Sequence, residues 1–394
     1  MAEDPHSWEP ATRLIRGGLN RSNFGETSEA LFLTQSYAYE SAGAADRRFS
    51  GEDPGFVYSR YANPTTQMFE ERLALLEGAE QCRALASGMA AIHVALTGLL
   101  KAGDHLVAGR ALFGSCNWIV SNWLPRFGVE TTYVDATDLD AWRSAMRPNT
   151  KVVLLESPAN PLLEITDIAA VAEIAHAAGA KVVVDNVFAT PIFQKPLTLG
   201  ADIVVYSATK HIDGQGRVLG GAILGGRDFL EEAYRDIIRH TGPAISPFNA
   251  WILLKGLETL DLRVRRQTQT AAALADLIGD HGKVLSVRYP GRADHPQAQV
   301  ARAQMSGFSN LLAFDLGSRE AAWRFLDALE IVDISNNLGD AKSMATHPST
   351  TTHRAMPEEK RLEIGLTVGF VRMSVGLEDV RDLSRDISRA LDAV

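Results

Sequence analysis

The sequence predicts an α/β protein with a large, mostly parallel sheet covered by helices and a smaller C-terminal α+β domain. Three observations carry this. Between about residues 105 and 225 the short apolar runs HLVAG, TTYVD, KVVLLE, KVVVDN and DIVVYS alternate with helical segments such as DIAAVAEIAHAAGA, the pattern of strands buried on both faces of a sheet. After Gly225 the pattern changes to long helices, then to strands near 310–316, 331–335 and 366–375 with helices near 319–329 and 379–393. The 394 residues also exceed what one core usually organises, about 250–300 residues. The expected division is an arm over 1–60, a sheet domain over 61–256 and a second domain over 257–394.

Residues 1–60 have little periodicity but carry Phe24, Leu31, Phe32, Tyr37 and Tyr39. They read as an extended arm that lies on another part of the protein or on a second subunit, since such a segment cannot bury its own apolar groups. The arm ends in FVYSRYANPT, where Asn63 and Pro64 supply an N-cap and first-turn residue for a helix running to Gly78. Tyr58 and Arg60 stand just outside that helix. Ser87 and Gly88 open the next helix, with Met89, Ile92, Leu96 and Leu99 at helical spacing. Its N-terminus offers free amides and a favourable dipole to an anion. Two later strands end in polar groups aimed at one edge, ESPANP from Glu156 and the pair Asp185 and Asn186. A carboxylate in such a place should meet a cation or a protonated ring nitrogen, the plainer alternative being a cap. Ser246 and Pro247 begin one or two long helices, and Arg372 falls on the last strand.

The stretch Ala201–Gly221 combines these features around one lysine. The apolar run at 203–205 delivers Ser207, Thr209 and Lys210 to a strand end, where open α/β sheets bind ligands. Two hydroxyls, an amine and the glycines at 214, 216, 220 and 221 suit a phosphorylated aldehyde, with Lys210 as a Schiff-base lysine. A surface lysine is the plain alternative. A dinucleotide turn fits poorly, because the glycine spacing is wrong and the segment leads into a strand-like GGAILGG.

A net charge of −9 argues against nucleic acid or an anionic membrane as partner. Two cysteines, Cys82 and Cys116, make neither a disulfide framework nor a metal site and suggest a reducing compartment, with cytoplasm the expectation. The start MAEDPHSWEP lacks signal-peptide character, and no apolar run reaches membrane-spanning length. The ten histidines have no metal-ligand spacing, so no metal is expected.

In this order, YSRYANPT, ASGMAAI, ESPANP, VVVDN and SATKH resemble the Cys/Met-metabolism family of pyridoxal-phosphate enzymes, from about residue 11 to the carboxyl terminus. The resemblance implies the fold type I aminotransferase-like architecture and a homotetramer with active sites shared between subunits. It implies that Lys210 bonds pyridoxal 5'-phosphate, that Asp185 pairs with its ring nitrogen, and that Asn160 contacts its phenolic oxygen. The phosphate would lie on Ser87, Gly88, Met89, Ser207 and Thr209, with Tyr58 and Arg60 from a neighbouring subunit. Arg372 would clamp the substrate α-carboxylate as a fork.

Three departures refine the reading. Phe113 of ALFGSC stands where most relatives have a tyrosine, so stacking on the ring survives but no phenol can move a proton. In NLGDAKS, Asn337 and Lys342 replace a serine and a glutamate of cystathionine-handling relatives, and a lysine there should repel cysteine and admit sulfide. Trp118 replaces an arginine of several relatives, which leaves a distal carboxylate without an obvious partner. NLGDAKS followed by HPSTTTH resembles the homoserine-ester sulfhydrylase branch, and within it the short chain, LFGSC, GETSEALFLT and HIDGQGRVLGG look most like the members that use the succinyl ester. That implies γ-replacement in methionine biosynthesis, O-succinyl-L-homoserine and sulfide giving L-homocysteine and succinate, with Lys210 carrying both protons. The alternatives are a cystathionine γ-synthase or γ-lyase activity, or the acetyl ester as substrate. More remote are a nicotinamide-dependent oxidoreductase and a non-catalytic oligomer.

Overall fold

The computed structural model describes residues 4–394. Seven strands form its main sheet: β1 (Gln81–Leu85), β2 (His105–Gly109), β3 (Glu130–Val134), β4 (Thr150–Glu156), β5 (Lys181–Asp185), β6 (Ile203–Tyr206) and β7 (Gly221–Gly225). Their order is β1-β7-β6-β5-β4-β2-β3, and only the pairings made by β7 are antiparallel. Side chains alternate between two cores: Val182 and Val184 enter one apolar cluster and Val183 the other. This is why the strands read as continuous apolar runs. The chain steps outward from β2 to β3, then returns to β4, β5 and β6. The reversal between β2 and β4 opens a crevice at the carboxyl ends of the strands.

The second sheet has the order β10-β11-β12-β9-β8, from β8 (Ser286–Arg288), β9 (Leu311–Asp315), β10 (Asp333–Ile334), β11 (Met344–Thr346) and β12 (Phe370–Ser374). Helices Leu260–Gly279, Arg319–Asp327 and Val380–Asp392 contribute Leu274, Phe325 and Ile387 to its core. Of the strand expected at 331–335 only two residues pair. β8 and β11, three residues each, and the edge strand β1 were not expected, since the first two are too short for a pattern and β1 alternates buried apolar with polar Gln81 and Arg83.

The first sixty residues are not simply extended. They hold helices α1 (Pro10–Arg16) and α2 (Ala42–Ser50). Leu14 of α1 is buried beside Met68, Phe69 and Leu73 of helix α3 (Pro64–Glu77). Arg72 of α3 donates to Gly17 O at 2.8 Å and also pairs with Glu29, which Lys255 reaches at 2.9 Å. The arm is therefore anchored through its first half, while Phe24 (95% exposed), Leu33 and Phe49 face outward. α3 starts and stops as its sequence dictates: Asn63 Oδ1 accepts from Thr65 N at 2.9 Å, and Gly78 ends the helix at φ 86°.

Candidate active site

A cavity of about 250 Å³ lies at the carboxyl edge of the main sheet. Its walls include Ser87, Gly88, Met89, Phe113, Asn160, Asp185, Ser207, Thr209, Lys210 and Arg372, brought together from β1, β2, β4, β5, β6 and β12 or the turns that follow them.

Ser87 follows β1 and caps helix α4 (Gly88–Thr97), its hydroxyl accepting from Ala90 N at 3.1 Å. The free amides of the first turn consequently face the cavity end of α4. Only glycine fits at 88, because a Cβ there would lie 2.5 Å from Ser207 Cβ. Thr209 is held by the next turn, its Oγ1 accepting from Gly220 N at 3.0 Å, and Lys210 N donates to Ser207 O at 3.1 Å. The side chain of Lys210 crosses the cavity, and its Nζ donates to Asn337 Oδ1 at 2.6 Å. Burial, reinforced by the nearby Arg372 charge, lowers its pKa to about 8.

Asp185 ends β5 and accepts one hydrogen bond, from Val187 N at 3.1 Å. Burial raises its pKa to about 6. No basic side chain of the described residues pairs with it, so an acid facing a cavity awaits a cationic partner. A protonated ring nitrogen fits that requirement. With the amine of Lys210, the amides of Gly88 and Met89, and the Ser207 and Thr209 hydroxyls, the donor set suits pyridoxal phosphate.

Arg372 is buried at the centre of β12, between β11 and β9. Its Nη1 donates to Asn160 Oδ1 at 3.0 Å, and Nη2 to Asn336 O and Asn337 O at 2.9 and 3.3 Å. Nε has no partner among the described residues. Its pKa, lowered by burial and partly restored by Glu156, stays near 10, so the group is a cation.

Glu156, noted in the sequence only as a polar strand end, is a wall residue, and its carboxyl accepts from Phe113 N and Asn160 N, each at 2.9 Å. Its place beside Asp185 in the β4–β5 register was the available signal. Thr352 of HPSTTTH and Leu338 also line the cavity and carried no individual sequence signal.

Three expected residues lie elsewhere. Tyr58 and Arg60 are outside the cavity of their own chain: Arg60 lies over the rings of Tyr58 and Tyr61 and donates to Arg239 O. Lys342, expected to face an incoming nucleophile, does not line the cavity. Its side chain is 63% exposed, and its ammonium lies 3.3 Å from the Oδ1 of the buried Asp340. Trp118 is likewise exposed and stacks on Trp123. Among the described residues no cluster of His, Cys, Asp or Glu could hold a metal ion, and no helix is long and apolar enough to cross a membrane.

The family model for Cys/Met metabolism PLP-dependent enzymes matches residues 11–392. An O-succinylhomoserine sulfhydrylase of Mycobacterium tuberculosis is 54% identical over 392 residues, covering 98% of this chain and 97% of its own. One from Pseudomonas aeruginosa is 48% identical, covering 97% and 95%. A solved structure from Campylobacter jejuni subsp. jejuni, carrying N'-pyridoxyl-lysine-5'-monophosphate, superposes with TM-score 0.93 at 31% identity, covering 98% of this chain and 100% of that one.

Proposed function

The chain belongs to the Cys/Met metabolism PLP-dependent enzymes, and from that membership we propose that it makes L-homocysteine and succinate from O-succinyl-L-homoserine and sulfide. The observation that carries the reading is the meeting of Lys210, Asp185 and Arg372 around one cavity, an amine, an acid and a carboxylate-binding cation in one place. Bound pyridoxal phosphate supplies an aldehyde for amine exchange and a ring that accepts electrons from the substrate α-carbon.

The chain's own residues do the rest. Ser87, Gly88, Met89, Ser207 and Thr209 hold the phosphate. Asp185, ionised once a cation faces it, keeps the ring nitrogen protonated. Phe113 covers one ring face and Asn160 meets the phenolic oxygen. Arg372 takes the α-carboxylate through its free Nε, while Asn160 and the 336–337 carbonyls fix its plane. Lys210, freed by the substrate amine, removes the α-proton, would hand it to the bound cofactor, and as a neutral amine again takes the β-proton, since Phe113 has no group to do so. Succinate leaves from the γ-carbon, sulfide adds there, and Lys210 returns the protons. Asn337, which holds the Lys210 amine at 2.6 Å, keeps it oriented between those positions.

The proposal includes a cytoplasmic homotetramer in which Tyr58 and Arg60 complete the phosphate site of a neighbouring subunit. Their place outside their own cavity and the outward apolar groups of the arm support this. The test is steady-state kinetics with succinyl and acetyl esters, each against sulfide and cysteine. Succinyl ester with sulfide should give the highest kcat/KM. A higher value for the acetyl ester or for cysteine would overturn the substrate assignment.

A further inference from the structure

Glu156 closes β4, is 5% exposed, and takes no part in the steps above. Its two carboxyl oxygens are each committed to a different turn. Oε2 accepts from the amide of Phe113, the N-cap of the short helix Gly114–Trp118 that follows β2, and Oε1 accepts from the amide of Asn160, in the loop after β4. Both distances are 2.9 Å. Asn160 passes the constraint on, because its Oδ1 holds Arg372 Nη1 at 3.0 Å. On the other side, Asp185 is the residue paired with Glu156 in the β4–β5 ladder.

We infer that Glu156 is a positioning residue that sets the ring-covering Phe113 and the Asn160–Arg372 clamp in fixed register with Asp185, through its two amide hydrogen bonds. The choice of side chain supports this. Two amide donors converging on one side chain need two acceptor oxygens, which a carboxylate has and a carboxamide does not. Burial and the neighbouring Asp185 push the Glu156 carboxyl well above its usual range, and the two amide hydrogen bonds and the Arg372 charge oppose that shift. The inference rests on the proposed function only in naming what Phe113 and Arg372 touch.

The test uses Glu156→Gln, which keeps the shape and forces one of the two amides to face an NH₂ group. Because a buried amide left without its acceptor corresponds to roughly a tenfold effect, KM for the ester should rise about tenfold with a smaller fall in kcat. The apoprotein's affinity for pyridoxal phosphate, followed by tryptophan fluorescence, should weaken several-fold, and the visible band of the bound cofactor should shift. Asn160→Ala should raise KM by itself, and adding Glu156→Gln should then raise it little further, since both act on Arg372 along one path. Unchanged KM, cofactor affinity and visible band in the folded variant would overturn the inference, as would KM effects that multiply in the double variant. Should Glu156→Gln not fold, Glu156→Asp, which keeps both oxygens but is one methylene short, decides by the same readouts. The fluorescence titration needs no substrate. A wild-type protein that binds pyridoxal phosphate but ignores the ester would sink the proposed reaction, and the titration would still decide the role of Glu156.

Discussion

The two ends of the cavity are built differently. At the end proposed to hold the cofactor, Ser87, Asp185, Ser207 and Lys210 sit at or just beyond the ends of β1, β5 and β6, strands of one sheet. At the end proposed to meet the substrate, Arg372 comes from a different sheet and Asn337 from a loop, and hydrogen bonds to side chains tie them in: Arg372 to Asn160, Lys210 to Asn337, Asn160 N to Glu156. The first end is fixed by backbone, so a substitution there removes a chemical group and leaves the geometry. The second is fixed by bridges, so a substitution there loosens several partners together.

The contrast is sharpest at Lys210. Lys210→Ala should lower turnover by at least about 10³-fold, within the range for loss of an acid–base group, while the folded variant still binds pyridoxal phosphate noncovalently. Activity assays alongside dialysis-resistant absorbance would check both halves. Near-normal turnover would remove Lys210 from the chemistry.

Arg372 tests the bridged end. Arg372→Lys keeps the charge but cannot reach Asn160 and the two loop carbonyls while also serving a carboxylate. Losing charge-assisted hydrogen bonds worth roughly 1.5–3 kcal/mol should raise KM for the ester about 10- to 100-fold, with cofactor affinity changed much less. If cofactor affinity fell as far as substrate affinity, the two ends would not be separable.

The same division explains what could be read in advance. The strands behind Asp185 and Ser207–Lys210 declare themselves as apolar runs, and a residue just past such a run can only emerge at the carboxyl edge. Hence the α/β class and the strand ends that line the cavity were legible, as was Asn63 capping α3. β1 was not, because its partner β7 lies about 140 residues further along and its own five residues alternate. α1 was not, because its single buried anchor, Leu14, has meaning only against α3. Lys342 was misplaced for a related reason. Its distance in sequence from Asn337 puts it in the same loop, but that spacing does not say which way the side chain points, and it lies exposed beside Asp340 of the same run.

A pH measurement probes the link between the ends. Only a neutral amine attacks an aldehyde, and Lys210 is held near 8 by burial and by Arg372. Capture of pyridoxal phosphate by the apoprotein should therefore speed up as pH rises toward about 8 and then level off, falling by about tenfold per pH unit below it. Stopped-flow absorbance would give the midpoint. Arg372→Gln removes the neighbouring positive charge and should move the midpoint upward. No movement would mean that the substrate end does not influence the lysine electrostatically.

The smallest effect is expected at Lys342. A lysine facing the nucleophile would repel the ammonium of cysteine and admit sulfide, and a glutamate in its place would reverse that preference. The position found for it argues otherwise. The side chain is 63% exposed, its charge is partly answered by Asp340 at 3.3 Å, and it is absent from the cavity wall. Water and salt screen a charge so placed, and interactions between exposed charges fade beyond a Debye length of about 8–10 Å. Lys342→Glu would put a second acid beside Asp340, so its carboxylate should swing still further into solvent. The ratio of cysteine-dependent to sulfide-dependent rates at fixed ester should consequently stay within about twofold of wild type, inside the small range usual for surface substitutions. A rise of tenfold or more in that ratio would bring Lys342 back to the path of the nucleophile. It would also mean that the substrate end is completed by a rearrangement or a second subunit that turns this lysine inward. An unchanged ratio leaves the preference for sulfide to the groups that do line the cavity, Asn336, Leu338 and Thr352 among them.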